Sequence, residues 1–314
     1  MHVLRVDNKE YYTHVKNVLT VFDSAPFINF NEKKCNEIHY LLFKDKYFRC
    51  GIILGEVRKG VLRSPFSAPY GLFSDIRNNN SLDVQYQVVE ALLWYVKTAG
   101  LEKIIFTLPP QCYDYTSISS WVNVLFVNKF HLDDIDINYH FSLDNFTSDY
   151  LDTCNIKFRQ KLKTAIKDGL VFEEVVEKEP IKEAYDVIKK NRQFKGYPLK
   201  MDFEQIYGTL KVFDSNVFIV RNSRGEVIAS AIVFVVSEFF AQVIYWGNDP
   251  DFDNNKCMNF LSYMCLNYYK RNGFKALDIG PSSSSSEPNF GLCNFKKSMG
   301  CDVSLKYTFS MVIP

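Results

Sequence analysis

The chain has 314 residues, of which 47% are hydrophobic and 16% aromatic. This length and composition suffice for one large domain or two of ordinary size with well-filled cores. Lysine and arginine number 37 and aspartate and glutamate 36, so the net charge is +1. That balance excludes the bulk positive charge that extended contact with nucleic acid phosphates requires. We therefore expect a globular protein with no DNA partner.

The cysteines and histidines show no metal-binding pattern. None of the eight cysteines belongs to a CxxC pair, and the five histidines are far apart, so the spacing predicts reduced thiols and no metal. The N-terminus has no apolar core behind basic residues, and no stretch approaches 18 uncharged apolar residues. These patterns predict neither a signal peptide nor a transmembrane segment, and we expect a cytoplasmic protein.

The first clearly periodic region begins at Val84. Apolar residues recur there at spacings of three and four as far as Ala99, with Ser81 as the predicted N-cap and Gly100 as the stop. The next predicted elements are a buried strand, a short helix and an alternating strand, at residues 101–110, near 117–128 and at 135–143.

The same order of elements returns in the second half of the chain. The predicted helix, strand, helix and strand are residues 257–268, 274–281, 290–299 and 303–313. Gly273 follows Gly100 by 173 positions, and Pro281 follows Pro109 by 172. Upstream, PYGLF (69–73) matches IYWGND (244–249). We therefore predict two copies of one α/β unit, an N-terminal domain of residues 1–146 and a C-terminal domain of residues 147–314.

The second copy contains further elements before its long helix. Two helices are predicted at residues 157–167 and 180–192. Three antiparallel strands follow, at residues 217–220, 227–236 and 239–246, and the second is a nearly continuous β-branched run.

This order of elements resembles the GNAT acyltransferase fold. Two such units in tandem resemble the Fem-type aminoacyltransferases, which build peptidoglycan cross-bridges, and the related GNAT-like acetyltransferases. The similarity is carried by FRQKLKTAIKDGLVFE (158–173), NRQFKGYPL (191–199) and PNFGLCNFKKSMGC (288–301). The resemblance implies two tandem GNAT-like domains, each a mixed, mostly antiparallel sheet flanked by helices, with the active cleft in the C-terminal domain.

The resemblance also implies an acyltransferase. Its donor would be acetyl-CoA or another acyl-CoA, and its acceptor an amine or hydroxyl of an envelope, capsule or peptidoglycan-type precursor. Two departures leave alternatives open: residues 248–259 lack the glycine-rich acetyl-CoA loop, and the long helical hairpin of some Fem-type enzymes is missing. The alternatives are an aminoacyl-tRNA-dependent peptidyltransferase and a non-catalytic protein that binds a sugar or peptide precursor.

Three residues are candidate catalytic groups. Asp278 is an acid on an otherwise apolar strand, where burial would suit it to act as a base; exposure to solvent and the capping of a neighbouring helix are the alternatives. Tyr245 ends the strand meander, where the resemblance implies that two neighbouring parallel strands part and leave an opening between them. Lys296 either reaches the cleft or complements the C-terminal end of its own helix.

The candidate substrate-binding residues are cationic, aromatic and amide side chains. Three of them lie in the constrained turn after a helix, where binding groups are often presented, although a plain helix stop explains them equally well. One comes from the first copy and one from the loop after the last buried strand. They are Arg192, Lys195, Tyr197, Tyr70 and Asn289.

The candidate cofactor-binding residues would hold the pantetheine arm and phosphates of a CoA. A solvated helix face and core packing are the simpler interpretations of the basic residues and the tryptophan. The candidates are Trp246, Gly247, Asn255, Lys256, Ser282, Arg159 and Lys163.

The five serines at residues 282–286 follow directly on a buried strand. Small hydroxyl side chains cover a site without blocking it, so we expect this loop to form a mobile rim of the cleft. A flexible surface linker is the alternative. For the reaction we expect direct attack on the donor carbonyl, with backbone N–H groups near residues 245–247 polarising its oxygen and no acyl-enzyme.

Overall fold

The computed structural model describes residues 1–77, 81–147, 150–252 and 256–313. The chain forms two compact units that are interleaved in sequence. Unit 1 comprises Met1–Asn138, Ser283–Pro288 and Ser304–Pro314, and unit 2 comprises Tyr139–Ser282 and Asn289–Val303. The domain boundary between residues 146 and 147 stays a prediction about the sequence repeat.

The first half of the chain contains both strands and helices. They are β1 (His2–Val6), α1 (Asn8–His14), α2 (Ala25–Asn31), β2 (Ile38–Lys44), β3 (Phe48–Arg58), β4 (Val61–Ser64), β5 (Ser74–Asp75), α3 (Leu82–Thr98), β6 (Lys103–Thr107), α4 (Tyr115–Val127) and β7 (His131–Ser142).

The second half begins with helices and ends with a long strand. Its elements are α5 (Tyr150–Thr153), α6 (Ile156–Lys167), β8 (Val171–Glu174), α7 (Lys178–Phe194), α8 (Phe203–Thr209), β9 (Ser215–Arg221), β10 (Val227–Val235), β11 (Phe240–Asn248), α9 (Lys256–Arg271), β12 (Ala276–Pro281), β13 (Ser283–Ser284), β14 (Glu287–Pro288), α10 (Phe290–Ser298) and β15 (Asp302–Val312).

Unit 1 is built on a mostly antiparallel sheet. Its strand order is β1-β2-β3-β4-β6-β15, with β5 against β3. Only β4 and β6 pair in parallel in this order, over Val61–Ser64 and Lys103–Phe106. A parallel pair needs a long crossover connection, and α3 provides it. The core includes Trp121, which is fully buried and stacks on Phe73 with 4.0 Å between ring centroids.

Unit 2 repeats this plan. Its strand order is β7-β12-β11-β10-β9-β8, with β7 contributing from Tyr139 onward. Again the pairs between β8, β9, β10 and β11 are antiparallel, β11 and β12 are parallel, and a long helix, α9, connects the parallel strands. The β-branched run at 227–235 forms the central strand β10, as predicted. The predicted fold of two tandem, mostly antiparallel α/β units is confirmed.

One predicted correspondence between the copies is wrong. Residues 69–73 were matched with residues 244–249, yet they lie outside the strands while residues 244–248 belong to β11. The counterpart of β11 in unit 1 is β4, because β4 is the strand that pairs in parallel with the strand after the long helix. Pro65 follows Ser64 directly, and a proline has no N–H with which to extend the ladder.

The serine stretch forms a tight hairpin. Ser283 pairs with Pro288 and Ser284 with Glu287, and the two residues at the tip, Ser285 and Ser286, have φ of 49° and 66°. The structure therefore replaces the expected loop with a turn of the type I′ class, which needs positive φ at both central positions.

The serine hairpin is tied to β7 by side-chain hydrogen bonds within unit 1. Ser283 Oγ donates to Asp136 Oδ1 at 2.6 Å and accepts from the Ile137 N–H at 2.8 Å. Ser286 Oγ accepts from the Ile135 N–H at 2.9 Å.

Among the described residues, no helix has the length and apolar character that crossing a membrane requires.

Candidate active site

Strands β11 and β12 part in the middle of unit 2. Their parallel pairing covers Phe240–Gln242 and Ala276–Asp278, and within the described residues no further pair joins them. Strand β11 nevertheless continues to Asn248 and stays paired with β10, while β12 runs on to Pro281. The opening between adjoining strands that the sequence analysis requires is therefore present after Gln242 and Asp278.

A bulge in β11 accompanies the parting. Opposite β10, Val243 pairs with Val233 and Tyr245 with Ile232, so Ile244 is the extra residue. A bulge bends its strand and increases the local twist. The extra residue lies two positions after Gln242, the last β11 residue that pairs with β12, which explains why the two strands separate at that point.

Asp278 is the acidic group at the closed end of the opening. It is fully buried, so the solvent-exposed alternative is wrong. Its Oδ2 accepts from Gln242 Nε2 at 2.9 Å, and its Oδ1 accepts from the Gly280 N–H at 2.8 Å. These two donors fix the carboxylate between the two parting strands.

Lys296 reaches the end of β12 from α10. Only 1% of the residue is exposed, and its Nζ donates to the carbonyl oxygens of residues 279, 280 and 281 at 2.8, 2.7 and 3.1 Å. The alternative in which it complements the end of its own helix is wrong. The ammonium group instead binds the backbone carbonyls at the end of β12.

The environment of Lys296 changes its acidity. Burial lowers the pKa of Lys296 from 10.5 to about 8, while the nearby Asp278 acts in the opposite direction and Arg192 adds a smaller lowering effect. Lys296 therefore combines a buried positive charge with a pKa close to neutral pH. A group of this kind can stabilise developing negative charge or exchange a proton during a reaction.

Two residues of β7 that the sequence analysis missed complete this buried cluster. The Tyr139 ring centroid lies 5.5 Å from Lys296 Nζ, and burial raises the pKa of the Tyr139 hydroxyl to about 12. His140 is buried, burial lowers its pKa, and the charge of Asp278 opposes that shift. Both lie in a predicted strand, but only the sheet order places β7 beside β12.

The end of α7 brings Arg192 to Tyr245. The guanidinium carbon lies 5.8 Å from the centre of the Tyr245 ring, within the range of a cation–π interaction. Burial raises the pKa of Tyr245, and the positive charge of Arg192 opposes the increase. Two predicted site residues, one from a helix end and one from β11, therefore lie together beside the opening.

The turn after α7 is a helix stop with exposed side chains. The N–H groups of Gly196 and Tyr197 donate to the carbonyls of Gln193 and Arg192, and Gly196 has φ of 77°, as in a Schellman C-cap. Lys195 is exposed, and Tyr197 is 63% exposed. The structure places both at the surface, away from the buried cluster of Asp278 and Lys296.

Gly247 lies at a close contact between α7 and β11. A Cβ atom at this position would lie 2.8 Å from Cγ of Asn191, nearer than such atoms come to each other. Asn191 Nδ2 donates to the carbonyl oxygen of Asn248 at 2.7 Å. Gly247 therefore serves first as the contact that allows α7 to bring Arg192 to the site. Trp246 is half-buried beside it and pairs with Ala231.

The basic candidates for CoA binding are separate from the buried cluster. Lys256, at the start of α9, forms an ion pair with Asp168 at 3.3 Å, and Arg159 forms one with Asp152 at 3.1 Å. Lys163 is exposed on α6. Asn255 lies outside the described residues. The Lys256 ion pair places the C-terminal end of α6 at the start of α9.

The remaining candidates have structural contacts. Tyr70 is fully buried in unit 1, with ring centroids 5.3 Å from Phe22 and 5.1 Å from Tyr113. Asn289 is the N-cap of α10 and accepts from the Leu292 N–H at 3.0 Å. Ser282 is 2% exposed, and among the described residues its Oγ has no hydrogen-bond partner.

Solved structures share this architecture, although comparisons with family models and with curated proteins found no match. The structure of FemX is 13% identical and has a TM-score of 0.70, with 99% of this chain and 97% of FemX covered. The chain has the tandem GNAT-like fold.

Two further structures share the tandem GNAT-like fold. A tandem GNAT protein from the clavulanic acid biosynthesis pathway is 8% identical, with a TM-score of 0.58 and coverage of 100% and 98%. The C-terminal domain of a putative lysylphosphatidylglycerol synthetase from Agrobacterium fabrum is 14% identical, with a TM-score of 0.57 and coverage of 97% and 92%. Similarity at these identities establishes the fold, and the resemblance found in the sequence is confirmed at that level.

Proposed function

We propose that this protein is an acyltransferase. It moves an acyl group, acetyl in the simplest case, from a CoA thioester to an amine or hydroxyl of an envelope, capsule or peptidoglycan-type precursor. The observation that carries the proposal is the opening between β11 and β12 with Asp278 at its closed end and the buried charge of Lys296 behind it. An activated carbonyl seated there lies beside both an anionic and a cationic group.

The reaction proceeds by direct attack. The acceptor nitrogen or oxygen forms a bond to the acyl carbon, the carbon–sulfur bond breaks, and CoA leaves as its thiol or thiolate. The proton of the acceptor passes to Asp278 or to water. Orientation of the two reactants contributes about 7 to 11 kcal/mol, whereas general-base assistance of 10²- to 10⁴-fold corresponds to about 3 to 5 kcal/mol. Positioning by the opening is therefore the larger contribution.

The site residues divide this work between them. The peptide groups of β11 after Gln242 are released from pairing with β12 and serve as donors to the carbonyl oxygen. Lys296 stabilises the negative charge that develops there, and it also fixes the end of β12. Arg192 and Tyr245 bind the acceptor, since a guanidinium group can pair with a carboxylate or phosphate through two hydrogen bonds.

An aminoacyl-tRNA donor is the second candidate. A specific observation favours it: residues 248–259 contain no glycine-rich loop to hold the pyrophosphate of CoA. Both donors present an activated acyl carbonyl, so the same opening serves either reaction.

Thermal denaturation in the presence of each donor distinguishes the candidates. Acetyl-CoA, propionyl-CoA and succinyl-CoA are titrated against the full chain, and a saturating donor at 100 times its Kd adds about 2.7 kcal/mol of stability. We expect a concentration-dependent increase in melting temperature with at least one CoA thioester. Stabilisation by aminoacylated tRNA alone would favour the second candidate. Stabilisation by a sugar or peptide precursor with no response to either donor would favour a binding protein instead.

A matched pair of variants tests where CoA binds. Lys163 and Lys161 are both exposed on α6, but they point to different sides of the helix because successive residues are separated by about 100°. We expect Lys163→Glu to weaken CoA binding several-fold and Lys161→Glu, which changes the net charge equally, to leave it unaltered. Equal effects of the two variants would show that only overall charge matters.

A further inference from the structure

A second cluster of chemically active side chains lies in unit 1, away from the residues assigned above. It consists of Glu37, His39 and Glu56, and the candidate ligand atoms of these three residues all lie within 4.8 Å of one another. Glu37 directly precedes β2, His39 lies in β2, and Glu56 lies in β3. We propose that this cluster is a binding site for a divalent transition-metal ion such as Zn²⁺.

The buried imidazole is the strongest observation. His39 is 2% exposed, and among the described residues its Nε2 has no hydrogen-bond partner. Nε2 lies 3.3 Å from Glu37 Oε2, which is longer than a normal N–H···O hydrogen bond. Zinc bonds to nitrogen and oxygen are about 2.0 to 2.2 Å long, so two ligands of a tetrahedral ion are about 3.4 Å apart. The separation matches two ligands of one ion.

The other ring nitrogen is already held in place. His39 Nδ1 lies 2.7 Å from the hydroxyl of Tyr95, which reaches it from α3. A metal-binding histidine commonly donates its other N–H to such a partner, and the bond fixes the tautomer and the ring orientation. With the proton on Nδ1, the lone pair of Nε2 points into the cluster and is available to a metal ion.

The two carboxylates lie close enough to share a metal ion. The Glu56 N–H donates to the carbonyl oxygen of Glu37 at 2.8 Å, so these residues are neighbours across the ladder, where like charges destabilise a sheet. Arg5 forms an ion pair with Oε1 of Glu37, and Glu56 Oε1 accepts from the Gly60 N–H at 2.7 Å. Each carboxylate therefore has one oxygen already bonded and a second for the ion.

The ligand types indicate the class of metal. One imidazole nitrogen and two carboxylate oxygens suit zinc and its neighbours in the first transition series better than magnesium or calcium, which prefer oxygen ligands only. Three protein ligands leave a further position for water. The side chain of Glu37 is 51% exposed, so the ion enters from the solvent on that side.

Titration of the full chain with Co²⁺ after EDTA treatment tests the site. Co²⁺ replaces Zn²⁺ in such sites, and its visible spectrum shows whether sulfur is a ligand, which matters in a chain with eight cysteines. We expect one equivalent to bind, reversibly by EDTA and competitively with Zn²⁺, without a thiolate charge-transfer band. Absence of saturable binding, a thiolate band, or binding of Ca²⁺ in preference to Co²⁺ would each overturn the proposal.

Three variants and one control test a proposed ligand and its neighbours. Loss of an outer partner of a metal-binding histidine costs about 10- to 100-fold in affinity, so Tyr95→Phe should weaken Co²⁺ binding to that extent. Glu56→Gln removes the charge of a proposed ligand and should weaken Co²⁺ binding by at least about tenfold. Arg5→Gln removes a competing positive charge and should strengthen binding. The control Glu90→Gln alters an exposed glutamate of α3 and should have no effect. Melting curves in EDTA confirm folding, and a folded Glu56→Gln variant with unchanged affinity would refute the site.

Discussion

Gln242 and Asp278 are the last residue pair that joins β11 to β12, and their side chains are also hydrogen-bonded, Nε2 to Oδ2 at 2.9 Å. The same two residues thus close the ladder through their backbones and hold the buried carboxylate through their side chains. Beyond them the strands part. The position of the candidate base and the position of the opening are consequently set by one contact.

Replacement of Asp278 by asparagine tests the role of the carboxylate. Asparagine preserves the shape of the side chain and an acceptor for the Gly280 N–H, but it removes the negative charge and places an amide near Gln242. If Asp278 accepts the proton, Asp278→Asn should lower the rate of CoA release in the presence of acceptor by 10²- to 10⁴-fold. Donor binding, measured by thermal shift, should be retained. If the variant keeps the wild-type rate, then water or the acceptor itself, and not Asp278, accepts the proton.

The buried ammonium of Lys296 predicts an unusual dependence of stability on pH. The folded state releases the proton near pH 8, whereas the unfolded state retains it to about pH 10.5. Below pH 8 both states are protonated, so the cost of the buried charge is fully present. Since stability increases with pH wherever the unfolded state binds more protons, this cost is relieved as pH rises above 8.

The measurement is the difference in unfolding free energy between wild type and Lys296→Met in urea. The advantage of wild type over the variant should increase by about 2 kcal/mol from pH 7.5 to pH 9.5. The absolute difference also includes the energetic cost of the three carbonyls that methionine leaves without a donor. The quantity to compare is therefore the change of this free-energy difference with pH. A difference that is constant over this range would mean that Lys296 titrates normally.

The sequence predicted those parts of the fold that depend on local pattern. The helices α3, α7 and α9 follow from apolar spacing and from the glycines that end them, and β10 from its β-branched run. The parting of β11 and β12 was also predicted, from the resemblance. Local pattern could not predict that Lys296 binds three carbonyls, because that contact depends on how residues 279–281 turn after the sheet has formed.

Contacts between distant elements account for most of what the sequence analysis missed. His140 belongs to the candidate site only because the sheet order places β7 beside β12, and no spacing along the chain indicates this. Glu37 and His39 lie just before and within β2, and Glu56 lies in the neighbouring strand β3, so a search for zinc-ligand spacing could not detect them. We expected the serines to form a mobile loop, and local pattern could not predict their hairpin because residues other than glycine and asparagine rarely adopt positive φ.

The close approach at Gly247 predicts opposite effects for two glycine substitutions. In Gly247→Ala the new Cβ would lie 2.8 Å from Asn191, and relief of the clash must move α7 and Arg192. We expect a loss of about 1 to 3 kcal/mol in unfolding free energy together with weaker acceptor binding. In Gly291→Ala, within α10, the nearest atom is 3.5 Å away, so alanine should stabilise the helix by about 0.4 to 1 kcal/mol. Equal effects of the two substitutions on acceptor binding would contradict the role of Gly247.

Glycine substitutions at two neighbouring residues in the tip of the serine hairpin should differ in their effect on stability. Ser285 and Ser286 both have positive φ, which glycine adopts without strain. Ser286 Oγ also accepts from the Ile135 N–H. Ser285→Gly should therefore stabilise unit 1 by about 0.5 to 1 kcal/mol, while Ser286→Gly should gain less because it loses that hydrogen bond. Urea denaturation of both variants measures the difference, and the reverse order would show that the bond to Ile135 has no energetic value.

Asp23 in unit 1 predicts a pH dependence of opposite sign to that of Lys296. The residue is 6% exposed, and burial raises its pKa from 3.8 to about 7. Between these values the folded state keeps a proton that the unfolded state has released, so stability decreases as pH increases from 4 to 7. Asp23→Asn removes the charge and should raise the unfolding free energy by a few kcal/mol at pH 8, with little effect at pH 4.

Asp45 is the control for this prediction, because Arg49 hydrogen bonds hold the pKa of its carboxyl at about 2. The stability that the ionised Asp45 carboxylate contributes to the folded state is present above pH 3.8, and it is lost only as pH falls below that value. The effect of Asp45→Asn should therefore be constant between pH 4 and pH 8, where the effect of Asp23→Asn changes. If both variants show the same flat profile, Asp23 is ionised throughout and its burial must be compensated by a donor at its carboxylate.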